Sequence, residues 1–284
     1  MAGNYPVGTG TGGYPPGTGG GGAIINPDAY ASGLLLHGST TNDGFFGSTI
    51  TPYGTAPTSV SNPDNTGTYN QFSANSIYAS GAGYIRASSN PAFVIGTDDF
   101  SFEFFIYPLS SAFNFIFDTR TPFDDYSSGF YVCFSFPGDP SLDRKISFGS
   151  TPGVSGQWVH GNTALSLNEW HHVIVTRVGG TAKLVIDGVV DVTTAFNYDI
   201  TGSNAAVFAA ENATSPINAY FNEMRFVTGA SAYPSAPYVV PTSPIAVGNL
   251  PSPPTQWQVV VGAVRGFVCT LASPESWIFF DPTP

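Results

Sequence analysis

Gly179-Gly180 separates two runs of alternating apolar and β-branched residues, Trp170-His-His-Val-Ile-Val-Thr-Arg177 and Lys183-Leu-Val-Ile186. A tight antiparallel hairpin needs positive φ angles in its turn, and glycine supplies them without a steric clash. The period of two places Trp170, His172, Ile174 and Thr176 on one face of the first strand and His171, Val173, Val175 and Arg177 on the other. Asp187-Gly188 then turns the chain again. A meander of this kind predicts an antiparallel β-sandwich.

Further strand candidates follow at short intervals, each closed by a turn signal: 34–37, 84–87, 100–107, 113–120, 130–136, 145–149, 157–160, 205–209 and 219–227. About a dozen strands suit two packed sheets. The chain holds 23 Phe, 14 Tyr, 33 Gly and 24 Pro against 10% charged residues, which leaves almost no sequence for amphipathic helix. Its 284 residues are enough for one sizeable sandwich core with extensions.

Eight Lys plus Arg against 19 Asp plus Glu, a net charge of −11, give too few cations to neutralise phosphates, so nucleic acid is excluded as a partner. The acidity reads as solubility, with a bound cation as the alternative. No apolar run is long enough to span a bilayer, and the amino terminus lacks the charged and apolar regions of a signal peptide, so a soluble chain with no membrane partner is expected. Cys133, inside the apolar run 130–136, reads as a buried thiol, and no disulfide with Cys269 is expected. Asn212-Ala-Thr214 matches a glycosylation acceptor, a tripeptide common by chance.

Charge divides the chain into three parts. Residues 1–27 and 226–264 contain no Asp, Glu, Lys or Arg. Within the first part, Tyr5-Pro-Val-Gly-Thr-Gly-Thr-Gly-Gly13 repeats as Tyr14-Pro-Pro-Gly-Thr-Gly-Gly-Gly-Gly22, an arm that buries no core of its own. The expected organisation is an arm at 1–27, a sandwich at 28–245 and a short β extension at 246–284, whose strands follow the proline-rich linker 251–254. The path from Tyr233 to Ile245 is expected to leave the sandwich. Trp257, Trp277, Phe279 and Phe280 then need cover, by the sandwich or, as favoured here, by another chain. Tyr5 and Tyr14 would anchor the arm.

Six motifs in order resemble the laminin G-like, or concanavalin A-like, jelly-roll domains, especially the single copies in structural proteins of tailed bacteriophages. They are Leu34-Leu-Leu-His37, Gly96-Thr-Asp-Asp-Phe-Ser-Phe-Glu-Phe-Phe-Ile-Tyr-Pro108, Phe117-Asp-Thr-Arg120, Leu167-Asn-Glu-Trp-His-His-Val-Ile-Val-Thr-Arg177, Leu184-Val-Ile-Asp-Gly188 and Phe221-Asn-Glu-Met-Arg-Phe-Val-Thr-Gly229. The resemblance covers roughly residues 30–245 and implies a sandwich of two curved antiparallel sheets, whose relatives bind sugars, proteins or calcium through rim loops or build scaffolds. The fold class is therefore all-β, a concanavalin A-like jelly roll with an extended arm and a C-terminal β extension.

Read individually, most of these residues are structural. Trp170 reads as a strand-opening core residue rather than a sugar platform, and at least one of His171 and His172, which point to opposite faces, is expected to meet solvent. Glu223 and Arg225 share a strand face, where an ion pair is expected. The five Glu, at 103, 169, 211, 223 and 275, are none of them followed by an acid two residues on, so the glucanase pattern of alternate acids on one strand is missing and no catalytic residue is assigned. If calcium were bound, Asp118, Asp124, Asp125 and Asp139 are the acids available. The competing reading pairs Asp118 with Arg120 or a nearby backbone amide and leaves the others on a loop. No other cofactor is implied.

These observations lead to the expectation of a non-enzymatic virion structural protein of a tailed phage, a capsid decoration protein on the particle exterior. It would be held through arm and tail by the major capsid protein or by tail or fibre subunits, as a homo-oligomer and by analogy a trimer. The alternative is a carbohydrate-binding recognition module for a host surface glycan, with Tyr53, Phe123 and Tyr126 stacking on sugar rings.

Overall fold

A computed structural model describes residues 32–36, 38, 49–63, 75–80, 83–88, 93–120, 129–151, 158–200, 207–208, 217–229, 231–242 and 245. All of them lie in the first of two units into which the chain divides, residues 1–248. Tyr5, Tyr14, Phe123, Asp124, Asp125, Tyr126, Trp257, Cys269, Trp277, Phe279 and Phe280 lie outside the described residues, as do the arm, the C-terminal extension and Asn212. Among the described residues no helix is long and apolar enough to cross a membrane.

The described chain forms fifteen strands: β1 (Ser32–Leu36), β2 (Ile50–Tyr53), β3 (Thr58–Ser61), β4 (Asn75–Ala79), β5 (Tyr84–Ala87), β6 (Phe100–Pro108), β7 (Asn114–Asp118), β8 (Gly129–Phe134), β9 (Lys145–Thr151), β10 (Trp158–Ala164), β11 (His171–Val178), β12 (Thr181–Ile186), β13 (Val189–Ala195), β14 (Val207–Phe208) and β15 (Ala219–Thr228). They build two antiparallel sheets. Sheet A runs β13-β12-β11-β6-β15-β4-β3, with β1 also on β15, and sheet B runs β10-β9-β8-β7-β14-β5-β2. The expected strands at 84–87, 100–107, 130–136, 145–149 and 219–227 are present with boundaries shifted by at most a few residues; β2, β3, β4 and β13 are additional.

The double-glycine hairpin forms as its residues require. Val178 pairs with Thr181, and Gly179 and Gly180 adopt φ of 54° and 74°, both positive as a two-residue I′ turn demands. Asp187-Gly188, with φ of 52° and 82°, makes a second such turn into β13, where Ile186 faces Val189.

Alternation along β6 sends Phe100, Phe102, Phe104 and Ile106 between the sheets, where they meet Phe117 and Phe130 of sheet B and Phe226 of β15. The Phe102 and Phe117 rings stack at 4.4 Å across the two layers, and Phe100 meets Phe130 edge-on at 4.8 Å. Arg177, fully buried at the end of β11, donates to the carbonyls of Gly96, Asp98 and Tyr198 at 2.5–2.9 Å, tying two loops to the rim of the core.

Three expectations are corrected by the structure. The segment from Tyr233 to Ile245 does not leave the sandwich: it folds back as a strap on the outer face of sheet A. Ala232, Tyr233 and Tyr238 pack there on Ile174, Val185 and Val227. Trp170 is the buried core residue expected, packed under this strap with Phe105, Tyr107 and Val240. Neither histidine faces solvent: His172 is 0% and His171 9% exposed. His171 Nδ1 bonds Asp187 Oδ2 at 2.8 Å, and His172 Nε2 lies 3.4 Å from Glu103 Oε2. Finally, a bulge between Asn222 and Arg225, with Glu223 at φ 49°, separates the expected Glu223–Arg225 pair. Arg225 instead pairs with Glu103 on the neighbouring strand, and Glu223 accepts the backbone N–H of Ile245 at 2.8 Å.

Candidate functional site

With the strap packed against the outer face of sheet A, the half-exposed aromatic rings of sheet B become the candidate contact surface. Alternation puts Tyr131 and Cys133 of β8, Ser147 and Gly149 of β9, and Trp158 and His160 of β10 on the outer face. The register aligns them in two rows, Tyr131–Gly149–Trp158 and Cys133–Ser147–His160. Gly149 has no side chain to hold Tyr131 and Trp158 apart, so their rings meet across it at 4.4 Å. Ser147 is equally small and bonds His160 Nδ1 at 2.9 Å, which fixes the imidazole.

The Trp158 and His160 rings are parallel to within 6°, and Phe136 sets its edge against both, at 4.5 and 5.0 Å. Phe113 meets Phe136 at 6.4 Å. All four rings are half-buried. Phe136 and Phe113 also line a cleft of about 370 Å³ whose other walls include Ser111, Ser135, Asp139 and Asp143. The cleft is shaped by the turn after β8: Gly138 at φ 82° reverses the chain, and Asp139 caps a 3-10 turn at Pro140–Leu142 by accepting the Ser141 N–H at 2.8 Å.

Hydrogen bonds from Ser141 hold the exposed Asp139 carboxyl below its usual range, with smaller help from His160 and Lys145. Asp143 pairs with Arg144 at 3.3 Å, both side chains well exposed. Burial pushes the His160 imidazole below its ordinary value of 6.5, only partly opposed by Asp139, so it is neutral at neutral pH. Burial likewise pushes the Cys133 thiol far up, leaving it an unreactive packing group.

Of the calcium candidates, Asp118 and Asp139 are described, and each is engaged by a partner of its own. Asp118 faces Arg120, which donates to it from Nε at 3.0 Å and from Nη2 at 2.5 Å, while the Arg120 amide adds a bond of 2.9 Å. The Arg120 guanidinium is packed on the Phe115 and Tyr131 rings, each 4.6 Å away. Asp139 is the cap just described. Among the described residues no cluster of three or more His, Cys, Asp or Glu could hold a metal ion. Of the expected sugar contacts, Tyr53 is described: it is 39% exposed on β2, at the opposite edge of sheet B, and stacks on Tyr84 at 4.9 Å. The shelf of Phe113, Phe136, Trp158 and His160 was not anticipated. The spacing of two in Trp158-Val-His160 was its one visible trace, because the strand register that joins the rings is not written locally.

Residues 79–232, more than half of the chain, match the laminin G type 3 family of the concanavalin A-like lectin/glucanases superfamily, and the chain belongs to it. No curated protein matches in sequence. Among solved structures, a mutant of HCR/D superposes with a TM-score of 0.51 at 15% identity, over 73% of this chain and 50% of that one. The binding domain of botulinum neurotoxin DC in complex with SialylT gives 0.50 at 15% identity, over 69% and 47%. Domain 4 of AbnA, a GH43 extracellular arabinanase from Geobacillus stearothermophilus, in complex with arabinotriose, gives 0.47 at 14% identity, over 70% and 94%. The chain spans about half the length of the first two. The family match and the first two likenesses establish the concanavalin A-like fold.

Proposed function

We propose that the protein is a non-catalytic carbohydrate-binding module in which Phe113, Phe136, Trp158 and His160 form a shelf for sugar rings and Asp139 and Asp143 accept their hydroxyls. The observation that carries this reading is the juxtaposition of half-exposed aromatic rings with a polar cleft. A pyranose offers an apolar C–H face and a rim of hydroxyls, and an aromatic surface with a few fixed acceptors complements both. The superfamily's description joins sugar-binding lectins with sugar-cleaving glucanases.

Several features favour binding over cleavage. Glu103 and Glu223 are buried, at 1% and 0% exposure, and engaged by Arg225 and the Ile245 amide. Asp139 is held below its usual range, the opposite of what a general acid needs. Ser147 bonds His160, yet its hydroxyl is fully buried, out of reach of a substrate.

The test is a glycan array probed with the wild-type protein and with Trp158→Ala. Signal from a defined set of glycans, lost in the variant while its melting curve stays within a few degrees, is expected. Equal binding by the two proteins would overturn the assignment of the shelf.

The uncharged stretch 1–27 favours a second role, attachment of the module to a larger particle. In the phage setting, the module would then sit on the particle exterior and offer its shelf outward. Deleting residues 1–25 is expected to abolish particle association while leaving glycan binding intact.

A further inference from the structure

The walls of the cleft specify more than sugar in general. Asp139 and Asp143 line it, and among the described residues no Lys or Arg does. We infer that the ligand is a neutral or amine-bearing saccharide and that the site discriminates against acidic glycans, those carrying sialic or uronic acid. The inference rests on the glycan-binding reading above and deepens it.

An ionised carboxylate is acceptor-only, so both aspartates bond sugar hydroxyls or an ammonium and can give nothing to a carboxylate ligand. Among the described residues, five ionisable groups lie at or beside the cleft. Asp139 and Asp143 line it, Arg144 is held to Asp143 at 3.3 Å, Lys145 begins β9, and His160 sits on the adjoining shelf. Arg144 is thus already committed to an acid of the wall, His160 is kept neutral by burial, and the Lys145 charge acts on Asp139 from outside the cleft lining, so none of the three presents a spare positive charge within the cleft. A ligand carboxylate seated against Phe136 would meet like charge at short range, where repulsion is least screened by salt. The net charge of −11 adds a longer-range barrier to the same ligands.

The conservative change is available on both acids. Asn is as good a cap as Asp, so Asp139→Asn preserves the turn that shapes the cleft, and Asp143→Asn is made at an exposed position. The experiment probes an array of neutral, amino and acidic oligosaccharides with wild-type protein and with the Asp139→Asn/Asp143→Asn double variant, at 20 mM and 300 mM salt, which correspond to long and short screening lengths. Wild-type signal is expected on neutral or amino sugars. For a matched pair differing by one carboxylate, the acidic member should bind about tenfold more weakly at low salt. The double variant should narrow that gap several-fold, and high salt should narrow it in the wild type. Preferential binding of acidic glycans, or a preference unchanged in the double variant, overturns this inference while leaving the sugar-binding reading in place. Silence across the whole array overturns both.

Discussion

Glu103 is a carboxylate in the middle of a sheet, 1% exposed, and three partners explain how it is tolerated. Burial drives its pKa up, but Arg225, His172 and Tyr233 together outweigh that and leave it below the ordinary carboxylate value of 4.5. Breaking a buried pair from one side leaves an uncompensated charge, so Glu103→Ala is expected to lose about 3–5 kcal/mol, read as a fall in denaturation midpoint. The pH dependence has a fixed sign. Because the folded pKa lies below the unfolded one, the stability from Glu103 is complete above about pH 4.5 and is lost as pH falls through the folded value, so wild type should lose stability on acidification below that point while Glu103→Gln does so less. His160 is also depressed, by burial. Folding therefore disfavours its protonated form, and stability falls as pH drops below about 6.5, a component that His160→Gln removes. Glycan binding should weaken over the same interval as the imidazolium becomes hydrated beside Trp158. In the core, Phe102→Ala, which removes a ring stacked across the two sheets, should cost about 3–5 kcal/mol.

Among the elements, β10 matters most to function because it carries Trp158 and His160 at the edge of sheet B. It is held on its free side by Asp191 of β13, whose carboxylate accepts the N–H groups of Asn162 and Thr163 and the Thr163 hydroxyl at 2.6–3.0 Å. This clasp joins the edges of the two sheets, and Gly161 is what lets them approach: a methyl group there would meet the Ile146 carbonyl and the Asp191 carboxylate. Asp191→Ala should cost about 2 kcal/mol and weaken glycan binding with it, measured by melting and by titration on the same preparation. The sequence announced the β11–β12 hairpin because two glycines and an unbroken alternation leave one local solution. It did not announce β2, β3 and β4, which are short and polar or small in side chain. Pro52 lies within β2, a residue that argues against a central strand and is acceptable because β2 is an edge. β13 was hidden by its exposure, since Val189 and Val190 face solvent and leave no clean alternation. The shelf escaped for a different reason. Its rings come from three separate segments, and what unites them is the register through Gly149 and Ser147, a long-range property of the folded sheet.

For the molecule as a whole, the strap sets which surface is available. Tyr233 donates its hydroxyl to Glu103, the Ala232 amide bonds Ser101 Oγ at 3.1 Å, and Lys183 donates to the Tyr238 hydroxyl at 3.0 Å, so the strap is stitched to two strands of sheet A, β6 and β12. A chain ending at Gly229 would expose Ile174, Val185, Phe105 and Trp170 and should be recovered aggregated or loosely packed. One ending at Gly248 should melt cooperatively, as judged by near-ultraviolet dichroism.

The account stands on the shelf of sheet B as the place where sugar is held, and titration calorimetry with the strongest array ligand tests it most directly. Trp158→Ala and Phe136→Ala should each weaken binding at least tenfold, the loss of about 2 kcal/mol typical of a central aromatic contact, while Tyr53→Ala at the far edge leaves it within twofold. Full affinity in both shelf variants, with the loss falling on Tyr53→Ala instead, would contradict it.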